Sequence, residues 1–274
     1  MDILMLLNAL ILGIVEAASE FLPISSTGHL ILVGDFLNFT GKSAETFEIF
    51  IQLGAILAVV WIYRRKILHV FSSLFSDPAS SRLVINLAVA FLPAAILGLL
   101  LHKYITHYLF NPVSVAGALV AGGIAILLIE RYAGTPRIRE VDATRWREAL
   151  KIGLAQCLSL FPGVSRSGAT IMGGMVVGLS RLTATEFSFF LAIPTMFAAT
   201  LFSLYEARND LVTGDIPIFA TGFVAAFLGG LAVVRFLLAY VGRHSFVPFA
   251  YYRIVLGGLL LLYFHYHPWV GKAA

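Results

Sequence analysis

Glu16 and Glu20 stand four residues apart in an otherwise apolar run, and Ser25, Ser26, Thr27 and His29 follow a proline at position 23. Residues four apart share one helix face, so the two carboxylates would work together. Their neighbours Ile14, Val15, Ala17 and Ala18 are apolar, which argues against a solvated face. A buried carboxylate is costly unless it is paired or wet, which marks both as functional candidates. Ser26 lies one turn before His29, the spacing of a nucleophile and its acid or base. Nothing in the residue types separates Ser26 from Ser25 as the nucleophile.

A second polar island lies at 162–170, P-G-V-S-R-S-G-A-T. Pro162 and Gly163 end one helix and Ser165 caps the next. Helix N-terminal amides, the adjacent hydroxyls and the Arg166 guanidinium make an anion site suited to phosphate. The spacing is not that of a nucleotide-binding P-loop, which points away from ATP chemistry.

The two islands echo each other at a constant offset. Gly13 matches Gly153, Glu16 matches Gln156, Ser19 matches Ser159, Phe21 matches Phe161, Ser25 matches Ser165 and Gly28 matches Gly168. Phe47 and Phe50 continue the series with Phe187 and Phe190. This is the mark of an internal duplication whose copies have diverged, one toward acids and a histidine, the other toward a lone arginine. The two are expected to meet in one site.

The elements that would position them are membrane helices. The chain has 274 residues, 59% hydrophobic and 12% charged, with a mean hydropathy of +0.90. A soluble domain carries about 25% charged residues. The net charge of +4 comes from basic residues between apolar segments, which is a topology signal and not a nucleic-acid one. The first segment lacks a basic start and a small-residue cleavage site, so it is not read as a removable signal peptide. One cysteine, Cys157, allows neither an intramolecular disulfide nor a thiolate metal cage.

The apolar run 3–18 is short, about 24 Å at 1.5 Å per residue against roughly 30 Å of hydrocarbon. With the run at 30–39 it is expected to form a re-entrant broken pair. Spans follow at 46–63, 84–101 and 113–130. A second broken pair at 149–179 precedes spans at 185–205, 217–240 and 248–266. The fold expected is an all-α polytopic membrane protein, a single membrane domain of two inverted-topology repeats, each with a re-entrant broken-helix pair plus three transmembrane helices. Repeat 1 covers about 1–130, a cytoplasmic loop 131–148, and repeat 2 about 149–274.

Arg64, Arg65, Lys66 and Arg82 mark a 64–83 loop as cytoplasmic, together with the arginine-rich loop before 149 and Arg243. Both termini then lie outside, with the net acidic stretch 206–215 on their side. An odd number of spans per half inverts the second half, so the broken pairs enter from opposite faces and meet near the midplane. Glu48, Gln52, Glu186 and Arg253 are read equally as cavity lining or as helix locks. His102, His107, His244, His265 and His267 sit near span ends without metal-ligand spacing.

The stretch E-A-A-S-E-F-L-P-I-S-S-T-G-H at 16–29 resembles the acidic block of the bacterial undecaprenyl-diphosphate phosphatases, the bacitracin-resistance family. P-G-V-S-R-S-G-A-T at 162–170 is similar to that family's arginine block. F-E-I-F-I-Q-L-G at 47–54, T-G-D-I-P at 213–217 and F-V-P-F-A-Y-Y-R at 246–253 extend the likeness along the chain. The resemblance implies hydrolysis of undecaprenyl diphosphate to the monophosphate in the bacterial plasma membrane, recycling the lipid carrier for cell-wall synthesis, with a divalent cation, Mg²⁺ or Ca²⁺. It implies catalytic roles for Glu16, Glu20, Ser26, His29 and Arg166, with Glu16 and Glu20 also as metal ligands. It implies substrate contacts for Ser25, Thr27, Gly163, Ser165, Ser167, Gly168 and Thr170. The partners expected are the polyprenyl diphosphate lipid, the bilayer and, as one option, a second copy of the chain; nucleic acid is not among them. The competing reading is a secondary transporter or lipid flippase with an anion site at the midplane, an architecture that also uses broken helices.

Overall fold

The computed structural model describes residues 3–39, 42–109, 111–206 and 216–266. Among these are α1 (Ile3–Glu20), α2 (Ser26–Phe36), α3 (Lys42–Ser72), α4 (Pro78–Tyr108), α5 (Pro112–Tyr132), α6 (Trp146–Gln156), α7 (Arg166–Val176), α8 (Arg181–Glu206), α9 (Ile216–Val241) and α10 (Val247–Tyr266). Short 3₁₀ turns lie at Val141–Ala143 and Cys157–Leu160. Among the described residues there is no β-strand, only one bridge between Ile138 and Leu179. Most of the stretch 206–215, the start of T-G-D-I-P and His267 lie outside the described residues, as do the side chains of His102 and His107.

Helix starts follow local chemistry. Asp77 precedes Pro78 and its carboxylate accepts the amides of Ala79 at 3.0 Å and Ser80 at 3.2 Å. Asn111 precedes Pro112 and accepts the amide of Ser114 at 2.8 Å. In both, a short polar side chain satisfies orphan donors and the proline sits where no amide is needed.

Among the described residues seven helices are long and apolar enough to cross a membrane: α1, α3, α4, α5, α8, α9 and α10. The six expected spans are among them, but the helices run past the apolar stretches. Arg64, Arg65 and Lys66, expected in a loop, lie near the end of α3, and the connection to α4 is only residues 73–77. Arginine and lysine are good helix formers. A helix of 31 residues is about 46 Å long, so it carries its polar end beyond the roughly 30 Å hydrocarbon layer. At 18 residues α1 also counts as membrane-length, where the short apolar run suggested half a broken pair.

The packing partners are α5 with α10, α3 with α9 and α8, α1 with α9, α4 with α6, and α7 with α8 and α6. Phe21, Phe47, Phe187, Phe189 and Phe246 are fully buried between them, and Phe21 meets Phe189 edge-to-face at 5.6 Å. Leu99, Leu100, Phe236, Val255 and Leu259 are more than half exposed, an apolar outer surface suited to lipid. The basic helix ends gather on one face. Lys66 pairs with Asp142 at 3.1 Å. The Arg181 Nε donates to Glu130 at 3.0 Å, and the same carboxylate accepts the amide of Phe246 at 2.7 Å.

Two glycines at matching positions let helices touch. A Cβ on Gly13 would overlap Gly222 and Ala225 of α9, and one on Gly153 would overlap the backbone of Ala90 in α4. Each marks a backbone-to-backbone crossing that a larger residue would force apart. Gly153→Val is therefore expected to cost about 1–3 kcal/mol through overpacking and lower the thermal midpoint in detergent by several degrees. Gly258→Ala, where the added carbon meets open space, should leave the midpoint in place. A fluorescence-detected melting series of purified variants checks both.

Candidate active site

The first polar island forms the junction between α1 and α2. Helix α1 stops at Glu20, the chain turns through Pro23, and α2 begins at Ser26 after Ser25. The second island forms the junction between the 3₁₀ turn and α7, which begins at Arg166 after Ser165. The two N-cap serines adopt nearly the same uncommon backbone, φ 73° at Ser25 and φ 75° at Ser165. A non-glycine residue in this region is strained and persists only when its surroundings enforce it. Ser165 gains a cap hydrogen bond from the amide of Gly168 at 3.1 Å, whereas Ser25 makes no such bond.

The turns are bound to each other. Ser167 donates from Oγ to the Leu22 carbonyl at 2.9 Å. Arg253, 1% exposed, sends its guanidinium into both. It donates to Pro23 O (3.1 Å), Val164 O (3.0 Å) and Gly163 O (3.0 Å), and to Ala118 O and Leu119 O of α5. Gly163 has φ 92°, and a Cβ there would collide with Val115, so only glycine lets this turn approach α5. Of the two readings the sequence left for Arg253, the geometry is that of a lock: every donor contact is to a main-chain carbonyl.

Glu20 is the meeting point. Its Oε2 accepts the Ser26 hydroxyl at 2.6 Å, and its Oε1 accepts Arg166 Nη2 at 2.9 Å. Both partners of the ion pair are largely buried, with side chains 11% and 7% exposed. The second Arg166 nitrogen donates to the Ser188 carbonyl at 3.2 Å, and its Nε has no partner. Thr170 donates to the Arg166 carbonyl at 2.9 Å and contacts the Ser188 hydroxyl at 2.6 Å, tying α7 to α8. Thus Glu20, Ser26, Arg166, Ser165, Ser167, Gly168 and Thr170 come together as the two blocks suggested.

Two placements differ from expectation. His29 does not pair with Ser26. Its Nδ1 lies 2.7 Å from the Ser25 carbonyl, an acceptor only, so Nδ1 carries the proton and donates. In the neutral ring Nε2 then accepts the Tyr252 hydroxyl at 2.6 Å, and the two rings stack at 5.6 Å. The Ser26 hydroxyl goes instead to Glu20, because the turn after α1 folds the serine back against the last residue of that helix. Glu16 is 1% exposed and neither carboxylate oxygen has a hydrogen-bond partner. Glu20, Glu48 and Arg166 lie within electrostatic reach of it. Thr27 is half-buried beside these groups. Tyr252 and Ser188 were not foreseen; the only sequence signal for Tyr252 is its place beside Arg253 in the last block.

The donor set can be compared with that of a divalent cation. No three His, Cys, Asp or Glu side chains converge as a ready-made cage among the described residues. Glu16 nevertheless offers two free carboxylate oxygens next to Glu20, and Mg²⁺ is commonly held by one or two carboxylates, with substrate phosphate and water supplying the rest. The residues fit such an ion bound together with a phosphate.

With this geometry in hand, comparison with known proteins is direct. The profile of "Bacitracin resistance protein BacA" matches residues 9–259. Undecaprenyl-diphosphatase 1 of Pseudomonas fluorescens is 55% identical over 261 residues, 95% of each chain. Undecaprenyl-diphosphatase of Nitrosospira multiformis is 56% identical over 262 residues, 96% of each. That of Dechloromonas aromatica is 53% identical over 274 residues, the full length of both. A match of this extent, spanning both polar blocks and the helices that carry them, shows that the chain belongs to the bacitracin resistance protein BacA family.

Proposed function

We propose that this chain hydrolyses undecaprenyl diphosphate to undecaprenyl phosphate and inorganic phosphate within the bacterial plasma membrane, returning the lipid carrier to cell-wall synthesis and contributing to bacitracin resistance. The observation that carries the reading is the Ser26 hydroxyl, 2.6 Å from a carboxylate that is itself held by Arg166 from the other half of the chain. It sets a nucleophile, a proton acceptor and a phosphate-binding cation around one point.

In the proposed reaction the Ser26 oxygen attacks the terminal phosphorus and its proton passes to Glu20. The bond from that phosphorus to the bridging oxygen breaks and undecaprenyl phosphate departs. Water then hydrolyses the phosphoserine and releases inorganic phosphate. Little covalent help is needed in phosphoryl transfer; positioning and charge neutralisation dominate. Arg166 neutralises the transferring phosphoryl group, with its free Nε as the donor left for a phosphate oxygen. The amides and hydroxyls around Ser165, Ser167, Gly168 and Thr170 hold the diphosphate, with Ser25 and Thr27 on the opposite lip. His29, held by Ser25 and Tyr252, would act through the Tyr252 hydroxyl or guide water, because its own ring proton is given to the Ser25 carbonyl. Glu16 and Glu20 would hold a divalent cation, Mg²⁺ or Ca²⁺, which supplies further neutralisation of phosphate charge.

The architecture proposed for this site is a pair of inverted repeats. Helices α2 and α7 have the same 11-residue length and begin 140 positions apart, Ser26 against Arg166. Renaming α1–α5 as α6–α10 turns the contact of α1 with α9 into that of α6 with α4, and leaves α5 with α10 and α3 with α8 unchanged. A two-fold relation between halves produces that pattern. The end of α7 returns to the loop before α6, where the Gly178 carbonyl accepts the amides of Arg137 (2.8 Å) and Ile138 (3.0 Å). That supports α6 and α7 entering and leaving by the basic face. The basic face is assigned to the cytoplasm and both termini to the outside.

Three measurements test these readings. Phosphate release from a C55 polyprenyl diphosphate is expected from the purified protein, with losses of about a hundredfold or more in kcat for Ser26→Ala, Glu20→Gln and Arg166→Ala, as is usual when a nucleophile or charge stabiliser is removed. Activity in a folded Ser26→Ala variant near the wild-type level would remove the covalent step. No release by the wild type would favour transport, to be read as flux in liposomes.

Chelation by EDTA should abolish release, and readdition of Mg²⁺ or Ca²⁺ should restore it. Glu16→Gln should raise the cation concentration needed for half-maximal rate. A variant with the wild-type requirement would take Glu16 out of the metal site.

In a Cys157→Ser background, Arg139→Cys should resist a membrane-impermeant maleimide applied to spheroplasts, and Ala273→Cys should react. The reverse pattern would invert the topology.

A further inference from the structure

A second cavity lies on the basic face, away from the site just described. It is a cleft of about 840 Å³ between the 73–77 turn, the start of α4 and the start of α6. Arg82, Arg145 and Arg147 line it, with Phe75 and Trp146 at its walls and Asp77 at its edge. The cleft sits between the ends of two membrane-length helices, α3 at Ser72 and α4 beginning at Pro78, and lipid headgroups meet a protein at the ends of such helices.

The charges in the cleft are not consumed by the fold. Among the described residues the guanidiniums of Arg82 and Arg145 make no hydrogen bond or ion pair, and that of Arg147 only stacks on the Trp146 ring at 5.4 Å. Asp77, the one acid of the lining, is turned to the α4 amides and the Ser80 hydroxyl at 2.8 Å. These bonds hold its carboxyl below the usual range, so it stays ionised. Three guanidiniums against one carboxylate leave a net positive cleft. The first amides of α6 open beside it, since its N-cap Arg145 offers no side-chain cap. The walls suit lipid and not free solute: Phe75 is 99% exposed and Trp146 54% exposed, large apolar groups that water does not favour but the membrane interface does.

We propose that this cleft binds the phosphodiester headgroup of an anionic membrane phospholipid. Guanidiniums match phosphate oxygens in fork geometry. Basic pockets between helices at this depth are a recurrent way to hold anionic lipid, and each basic group near the surface adds to the attraction. The cleft volume is that of an ordinary small-molecule site. The acyl chains would run down the exposed apolar side of α4 past Ile85.

Native mass spectrometry of the full-length protein in detergent tests this. The probes are phosphatidylglycerol, phosphatidylcholine with the same chains, and inorganic phosphate. The wild type is expected to bind phosphatidylglycerol at least tenfold more tightly than phosphatidylcholine. Arg82→Gln/Arg145→Gln/Arg147→Gln should lose that preference, while Arg64→Gln/Arg65→Gln/Arg139→Gln, which removes equal charge from the same face outside the cleft, should keep it. Should the first triple variant fail to fold, Arg82→Gln and Arg147→Gln alone should each weaken phosphatidylglycerol binding at least threefold. Unchanged binding in the folded cleft variants would overturn the proposal. Equal losses in the two triple variants would replace it with a diffuse surface field. Millimolar inorganic phosphate displacing the lipid headgroup would reassign the cleft to free phosphate.

Discussion

The buried pair between Glu20 and Arg166 is the interaction on which the centre of this protein depends. Each group alone would be an ionised side chain in a low-dielectric interior, and stranding one costs about 3–5 kcal/mol. Each finds its opposite charge in the other half of the chain. The pair therefore enforces the docking of the α1–α2 turn on the start of α7. It also leaves the carboxylate with one oxygen for the arginine and one for Ser26, at 2.9 Å and 2.6 Å. An entering diphosphate would compete for the guanidinium. The energy that holds the empty site together is then the energy that the substrate's negative charge replaces.

A pair of this kind needs rigid turns, and Arg253 provides them. Its five contacts are with main-chain carbonyls of α5 and both turns. Buried turns leave carbonyls unpaired, and each such group costs free energy unless it finds a donor. One guanidinium, with five donors in a fixed plane, answers that cost at a single point. It also explains how two serines can sit at positive φ: the surrounding bonds fix the chain on both sides of each.

The sequence made part of this legible. Both polar blocks, the constant offset between them and the six later spans could be read directly, because helix-breaking residues and intramembrane charges stand out against an apolar background. Three features were hidden. The contact of Arg253 with Pro23 joins residues 230 positions apart, and no local pattern reports an arginine's distant carbonyl partners. Ser26 and His29 share α2 at one-turn spacing, yet Ser26 at its first position turns back to Glu20 while Ser25 and Tyr252 hold His29, and helical spacing does not report partners outside the helix. The end of α3 was assigned to a loop because its residues are basic, although a helix leaving the bilayer keeps its hydrogen bonds as readily in water.

Divergence between the proposed repeats has a physical logic. At the same offset Glu16 faces Gln156, Glu20 faces Leu160, and Ser26 faces Arg166. Had the position of Arg166 carried an acid as well, Glu20 would have met a like charge in a buried space. Had both copies kept the arginine, two guanidiniums would have met. One copy retaining acids while the other acquired a base turns that repulsion into attraction. Under the proposed mechanism it also separates the chemistry: nucleophile and proton acceptor on one turn, phosphate binding on the other. Gln156 keeps the shape of its counterpart without the charge and is fully buried. Among the described residues its side chain accepts one hydrogen bond, from the Thr195 hydroxyl at 3.4 Å. Two identical turns could each bind an anion, but the proposed mechanism needs unlike turns, so that a nucleophile stands opposite a cation across the bond to be broken.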